Sequence, residues 1–125
     1  MGNEVVYRGY VLRDGKLLNR NHRRLFPIIP RWFPLDLVPG FEWGVDCPAT
    51  QLLAYRMLLE LSGDADAARQ FCLELAQSWL VILDPRAGFT IDERSLGQWL
   101  SRRRNGPGPG GLTPGTYVAP ETDPA

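Results

Sequence analysis

The 125-residue sequence contains little of what catalysis and metal binding require. It has one histidine, His22, and two cysteines, Cys47 and Cys72. Two cysteines are too few for a disulfide scaffold, and a single histidine without a cysteine pair at ligand spacing predicts no zinc site. No glycine-rich loop stands between a strand pattern and an apolar helix, so a phosphate-binding loop is not expected. We therefore predict no catalytic residues, no cofactor and no metal, and a protein that is not an enzyme.

The sequence also lacks long apolar runs. None approaches the ~20 residues that span a bilayer. Glu4 and Arg8 interrupt any early apolar run, so a signal peptide is not expected, and we predict a cytoplasmic protein without a membrane partner. The formal net charge is zero, but the first 34 residues hold seven bases against two acids. Such a basic front either attracts polyanions or only solubilises a small sheet.

The N-terminal third has the pattern of strands. Residues 4–12 alternate loosely and are rich in Val and Tyr, and Asp14-Gly15 is a hairpin signal because Gly tolerates a positive φ. Residues 16–18 then form a short returning strand. A two-stranded hairpin is marginal in water, so it must pack on another element.

Three helices follow. The first runs from Pro48 to Leu61 and is apolar nearly all round, which predicts a central buried helix that Gly63 ends. The second begins after Asp64 and runs to about Leu83. The third opens with residues 90–93, Thr-Ile-Asp-Glu, which fit a capping box.

These patterns predict an α+β fold. We expect an N-terminal hairpin or three-stranded sheet packed on a three-helix unit, with residues 1–104 as a single domain. Residues 105–125 are rich in Pro and Gly and are predicted to form a flexible tail. The predicted core comprises Val6, Tyr10, Trp43, Leu52, Leu53, Met57, Leu61, Phe71, Leu75, Trp79, Leu96, Trp99 and Leu100.

Residues 19–40 combine four prolines with many large apolar side chains. The prolines exclude a helix or a central strand, so we predict an extended segment over the surface of the domain. Its aromatic residues either fill a small satellite core or form a docking surface. The candidate partner-binding residues are Arg20, Arg23, Arg24, Arg31, Trp32 and Phe33.

One segment resembles a known family. Trp43-Gly44, Pro48-Ala49, Gln51-Leu52 and Ala54 resemble a motif of small bacterial and phage-encoded proteins that share a domain of unknown function. The resemblance covers roughly residues 7–100 and implies no activity. The chain departs from the family pattern because residues 45–47, Val-Asp-Cys, replace a glycine-rich link, and Asp46 places negative charge where an anion would bind.

Two functional hypotheses follow. The first is a non-catalytic interaction protein of phage or mobile-element type that docks on a host or virion protein. The alternative is a nucleic-acid-binding accessory protein that uses the basic segment 20–31 together with Arg102, Arg103 and Arg104. The sequence does not predict an oligomeric state.

Overall fold

The computed structural model describes residues 4–33 and 40–105, and it has the predicted α+β architecture. The described residues form four strands and three helices, with a π-helical segment, Ala76–Leu80, directly after α2. The elements are β1 Val6–Leu12, β2 Gly15–Arg20, β3 Arg23–Leu25, α1 Pro48–Ser62, α2 Ala65–Leu75, β4 Phe89–Asp92 and α3 Glu93–Asn105.

The chain divides into two compact units, Met1–Glu93 and Arg94–Ala125. The first contains the sheet, α1 and α2; the second contains α3 after its first residue. The predicted tail, residues 105–125, lies outside the described residues except for Asn105, and so do residues 34–39 of the proline-rich segment. The predicted domain boundary after residue 104 stays a prediction.

The sheet is antiparallel, with strand order β3-β2-β1-β4. It has one strand more than the largest sheet predicted, and β2 extends to Arg20 rather than ending at residue 18. A tight turn then leads into β3. Asn21 adopts φ 55° there, and its side chain accepts a hydrogen bond of 2.9 Å from the Val6 amide. Asparagine tolerates the left-handed conformation, so this turn forms without glycine.

The fourth strand corrects the prediction for residues 90–93. Thr90 lies in β4 opposite Arg8, so it is not the cap of a helix. Glu93 begins α3, and its carboxylate binds Tyr7 and Arg20 instead of reaching back to residue 90. A long-range ion pair therefore replaces the local capping box.

The face of β1 that contributes to the core was also predicted wrongly. Tyr7 is fully buried and lies on the same face as Gly9, whereas Tyr10 is 40% exposed and Val6 is half-buried. Leu61 and Trp79 are half-buried as well, whereas the other nine predicted core residues are buried.

The helices of the first unit follow the sequence signals closely. α1 starts at Pro48 and is stopped by Gly63, which has φ 67°. Eight of its fifteen residues are buried, as expected for a central helix. Asp64 caps α2 by accepting hydrogen bonds from the amides of Asp66 and Ala67. The second helix was expected to continue to Leu83, but it ends at Leu75 and the π-helical segment follows.

Trp43 fills the inner side of the sheet. Its ring is fully buried and meets Phe89 edge to face at a centroid distance of 4.8 Å. Its indole N–H donates to the Ala87 carbonyl at 2.8 Å, and the Lys16 ammonium lies 4.6 Å from the ring centroid. The prediction that Trp43 belongs to the core is confirmed.

Candidate interaction surface

Arg20, the first candidate binding residue, is committed to an internal ion pair. Its Nε donates to Glu93 Oε2 at 3.0 Å and its Nη2 donates to Glu93 Oε1 at 3.2 Å. The Tyr7 hydroxyl donates to the same carboxylate at 2.6 Å. Burial opposes ionisation of Glu93, but the hydrogen bonds from Arg20 and Tyr7 outweigh it and lower the pKa of the carboxyl. Arg20 thus ties β2 to Glu93, the residue that directly follows β4.

Arg23 is held in a second ion-pair cluster, which joins the end of the sheet to α1. Arg23 and Arg56 both donate to the carboxylate of Glu60, the latter at 3.0 Å. Burial raises the pKa of Glu60, and the hydrogen bonds from the two guanidinium groups more than reverse this effect. Arg56 is itself buried, and its Nε donates to the Phe26 carbonyl at 2.9 Å. We call these contacts of Arg23, Arg56, Glu60 and the Phe26 carbonyl the arginine latch.

Trp32 and Phe33 pack within an aromatic cluster. The Trp32 ring meets Phe33 at 5.5 Å and Tyr55 at 5.6 Å, both edge to face. The Arg69 guanidinium lies 5.1 Å from the centroid of the Trp32 ring. Phe33 and Tyr55 are each 4% exposed, and Trp32 is half-buried. These contacts agree with the first of the two predicted roles for the aromatic residues, which was to fill a small satellite core and not to form a docking surface.

Between the latch and the cluster runs an apolar strip that faces solvent. Phe26, Ile28 and Ile29 are 59%, 43% and 36% exposed. Arg24 and Arg31 flank these residues and are both exposed, and the Arg24 guanidinium lies 4.6 Å from the centroid of the Phe26 ring. We call residues 26–31 the docking strip.

The predicted surface lies in this segment, but its exposed apolar residues differ from the predicted ones. The predicted aromatic pair is half-buried at Trp32 and buried at Phe33, whereas the residues between Pro27 and Pro30 are exposed. One available signal was the spacing of the prolines. Each proline removes a backbone donor and fixes φ, so the residues between them are poor candidates for a sheet and remain at its edge.

The described residues hold no group of three or more His, Cys, Asp or Glu side chains arranged for a metal ion. His22 is exposed at the turn before β3, Cys47 is half-buried, and burial raises the pKa of the Cys72 thiol. A raised thiol pKa disfavours the reactive thiolate. Within residues 4–33 and 40–105, no helix is long and apolar enough to cross a membrane.

The three C-terminal arginines belong to the second unit. Arg102 and Arg104 are exposed, whereas the Arg103 guanidinium lies 4.3 Å from the centroid of the Trp99 ring. They lie in the last turn of α3, where positive charge complements the helix dipole.

Comparison with known proteins finds no matching family model, no matching curated protein and no matching solved structure. The resemblance to the bacterial and phage family therefore stays a prediction.

Proposed function

We propose that this chain is a non-catalytic interaction protein of phage or mobile-element type, which docks on a host or virion protein in the cytoplasm. The docking strip is the proposed contact surface. The same proposal includes the membership of this chain in the bacterial and phage family, whose motif the Trp43-Gly44 segment resembles.

The observation that carries the proposal is an anchored backbone with exposed apolar side chains. The arginine latch fixes the strip at its start, because the buried Arg56 holds the Phe26 carbonyl. At the other end, the Phe33 amide donates to the Pro30 carbonyl at 3.0 Å, and the Phe33 ring is buried. A segment fixed at both ends loses little conformational entropy on binding, which favours affinity.

Charge defines the kind of partner. Arg24 and Arg31 stand at either end of Phe26, Ile28 and Ile29 and are both exposed. An apolar core with a charged rim is the usual anatomy of a protein interface. The complementary partner surface is an apolar groove with carboxylates at its two ends, which would both attract and align the strip.

The alternative function is a nucleic-acid-binding accessory protein that uses the basic segment 20–31 together with Arg102, Arg103 and Arg104, and this particular surface has less support. Arg20 and Arg23 are each paired with a glutamate, so their charge is largely compensated within the protein. Only part of the predicted basic surface then remains to contact phosphates.

Photo-crosslinking tests the docking proposal. Benzoylphenylalanine is incorporated in place of Ile28, and in a matched control in place of Ile82, which is 77% exposed and lies outside the strip. Both proteins are expressed in the host cell. We expect the first to yield a discrete protein adduct that the control lacks.

A double substitution sharpens the test. Ile28→Asp together with Ile29→Asp places two charges on the apolar core of the strip, and because both side chains are partly exposed, the fold should be retained. The adduct formed from a crosslinker at Phe26 should then disappear while the melting temperature stays close to that of the parent. Identical adducts from Ile28 and Ile82, or an adduct that survives both aspartates, would exclude the strip.

A further inference from the structure

The outer face of the sheet carries a row of polar side chains in direct register. Arg8 lies opposite Thr90 on one side and Asn19 on the other, and Asn19 lies opposite Arg24. Because side chains alternate along a strand and Tyr7, Leu18 and Leu25 are buried, this row faces the opposite side of the sheet. Arg8 and Arg24 are exposed and stand two strand spacings apart, about 10 Å.

An aromatic row runs beside the polar one. Tyr10 is two residues beyond Arg8 on the same face of β1, opposite Leu17, and it is 40% exposed. Phe26 follows Arg24 at the same spacing, and their cation–π contact of 4.6 Å shows that the two side chains lie together. The two arginines and the two aromatic rings thus form a patch on the outer face of the sheet.

We propose that this patch binds single-stranded nucleic acid. Tyr10 and Phe26 would stack on unpaired bases, and Arg8 and Arg24 would contact the phosphates that join them. Exposed aromatic side chains on an antiparallel sheet bind bases in this manner because every base has a π-face, and flanking cations hold the backbone. A duplex keeps its bases stacked on one another, so it cannot use the aromatic row.

Acidic residues on this face are few. Among the described strand residues, Asp92 is the one acid with its side chain on the outer face, and it lies opposite Val6. It is therefore on the far side of Arg8 from Tyr10, away from the aromatic row. The patch itself is cationic although the whole chain is neutral.

This inference goes beyond the proposed function, because its ligand differs and because Arg8 and Tyr10 lie outside the docking surface. Arg24 and Phe26 belong to both surfaces, so the test uses Arg8 and Tyr10, which the docking surface does not contain. The neutral substitutions Ile28→Ser and Ile29→Ser remove the apolar core of the docking strip without adding negative charge near the phosphates, so they should leave nucleic-acid binding intact. Either proposal can then fail without the other.

Fluorescence anisotropy measures the binding. The probe is a fluorescein-labelled oligothymidylate of about ten nucleotides, a length typical of single-strand sites. We expect wild-type binding that weakens as salt rises, because phosphate contacts release counterions. Arg8→Ala should weaken binding and reduce the salt slope by about 0.7, the value for one phosphate contact on a single strand. Tyr10→Ala should weaken binding at least about fivefold, and Tyr10→Phe should retain it.

Arg86→Ala is the matched control. Arg86 is exposed and lies before β4, so its loss changes the net charge equally without removing a residue of the patch. Circular dichroism of each variant confirms that the fold is retained. Any of four results would overturn the proposal. Two are the absence of wild-type binding and tighter binding of the corresponding duplex. The others are equal losses of binding in Arg8→Ala and Arg86→Ala, and equal losses in Tyr10→Ala and Tyr10→Phe.

Discussion

Gly9 lies where two aromatic rings leave no room for a side chain. It is paired with Phe89 across β1 and β4, and a Cβ atom at Gly9 would lie 2.2 Å from Phe89 Cε2 and 2.8 Å from Trp43 Cη2. The rings cannot simply separate, because Trp43 is fully buried and meets Phe89 edge to face. Gly9→Ala should therefore lower the free energy of unfolding by about 1–3 kcal/mol, the usual cost of overpacking.

A double-mutant cycle with Phe89→Leu tests the cause of this loss. Leucine removes the ring atoms nearest to residue 9, so Gly9→Ala should cost clearly less in the Phe89→Leu background than in the parent. Urea unfolding followed by circular dichroism gives all four free energies. Costs that add within about 0.5 kcal/mol would refute the steric explanation, because contacting residues that clash must couple. Gly40→Ala is the control, since a Cβ there meets nothing within 4 Å.

Two further predictions concern the same unit. Trp43→Ala should cost about 3–5 kcal/mol in urea unfolding, because it removes a fully buried ring, and an unchanged stability would contradict the core role. Glu93 has a lowered pKa in the folded protein, so its stabilising effect is present above the unfolded pKa of about 4.3 and is lost as pH falls through the folded pKa. Glu93→Gln should lower the melting temperature at pH 7 and flatten its acid dependence, while the part of that dependence that Glu60 contributes should remain. Parallel pH curves for the two proteins would contradict this.

The elements that could be predicted from the sequence are those with local causes. Pro48 begins α1 because its fixed φ suits the first turn, and Gly63 ends the helix because it accepts φ 67°. Asp64 caps α2 through hydrogen bonds within its own first turn. Each of these decisions involves residues within about four positions of one another, so the pattern contains all the relevant partners.

The parts that could not be predicted depend on distant partners. Thr90 has the local pattern of a helix cap, yet it pairs with β1, 82 residues earlier at Arg8. The Glu93 carboxylate accepts hydrogen bonds from Tyr7 and Arg20, which are distant in sequence, instead of reaching back to residue 90. The inner face of β1 was misassigned for a related reason: Gly9 looks like a weak strand residue until Phe89 and Trp43 are placed over it.

For the candidate surface, the segment could be predicted from the sequence, but the individual exposed residues could not. Composition was enough to single out residues 19–40, because their prolines exclude a helix or a central strand while their many large apolar side chains are unsuited to a solvated loop. It could not tell which apolar residues face outward, since that depends on α1 and α2. Tyr55 and Arg69 come from these helices and cover Trp32, whereas Arg56 binds only the backbone of Phe26 and leaves its ring exposed. A contact to a side chain buries it, but a contact to the backbone can fix a segment while its side chains remain available. That difference is why the docking strip, and not the aromatic pair, is the surface to test.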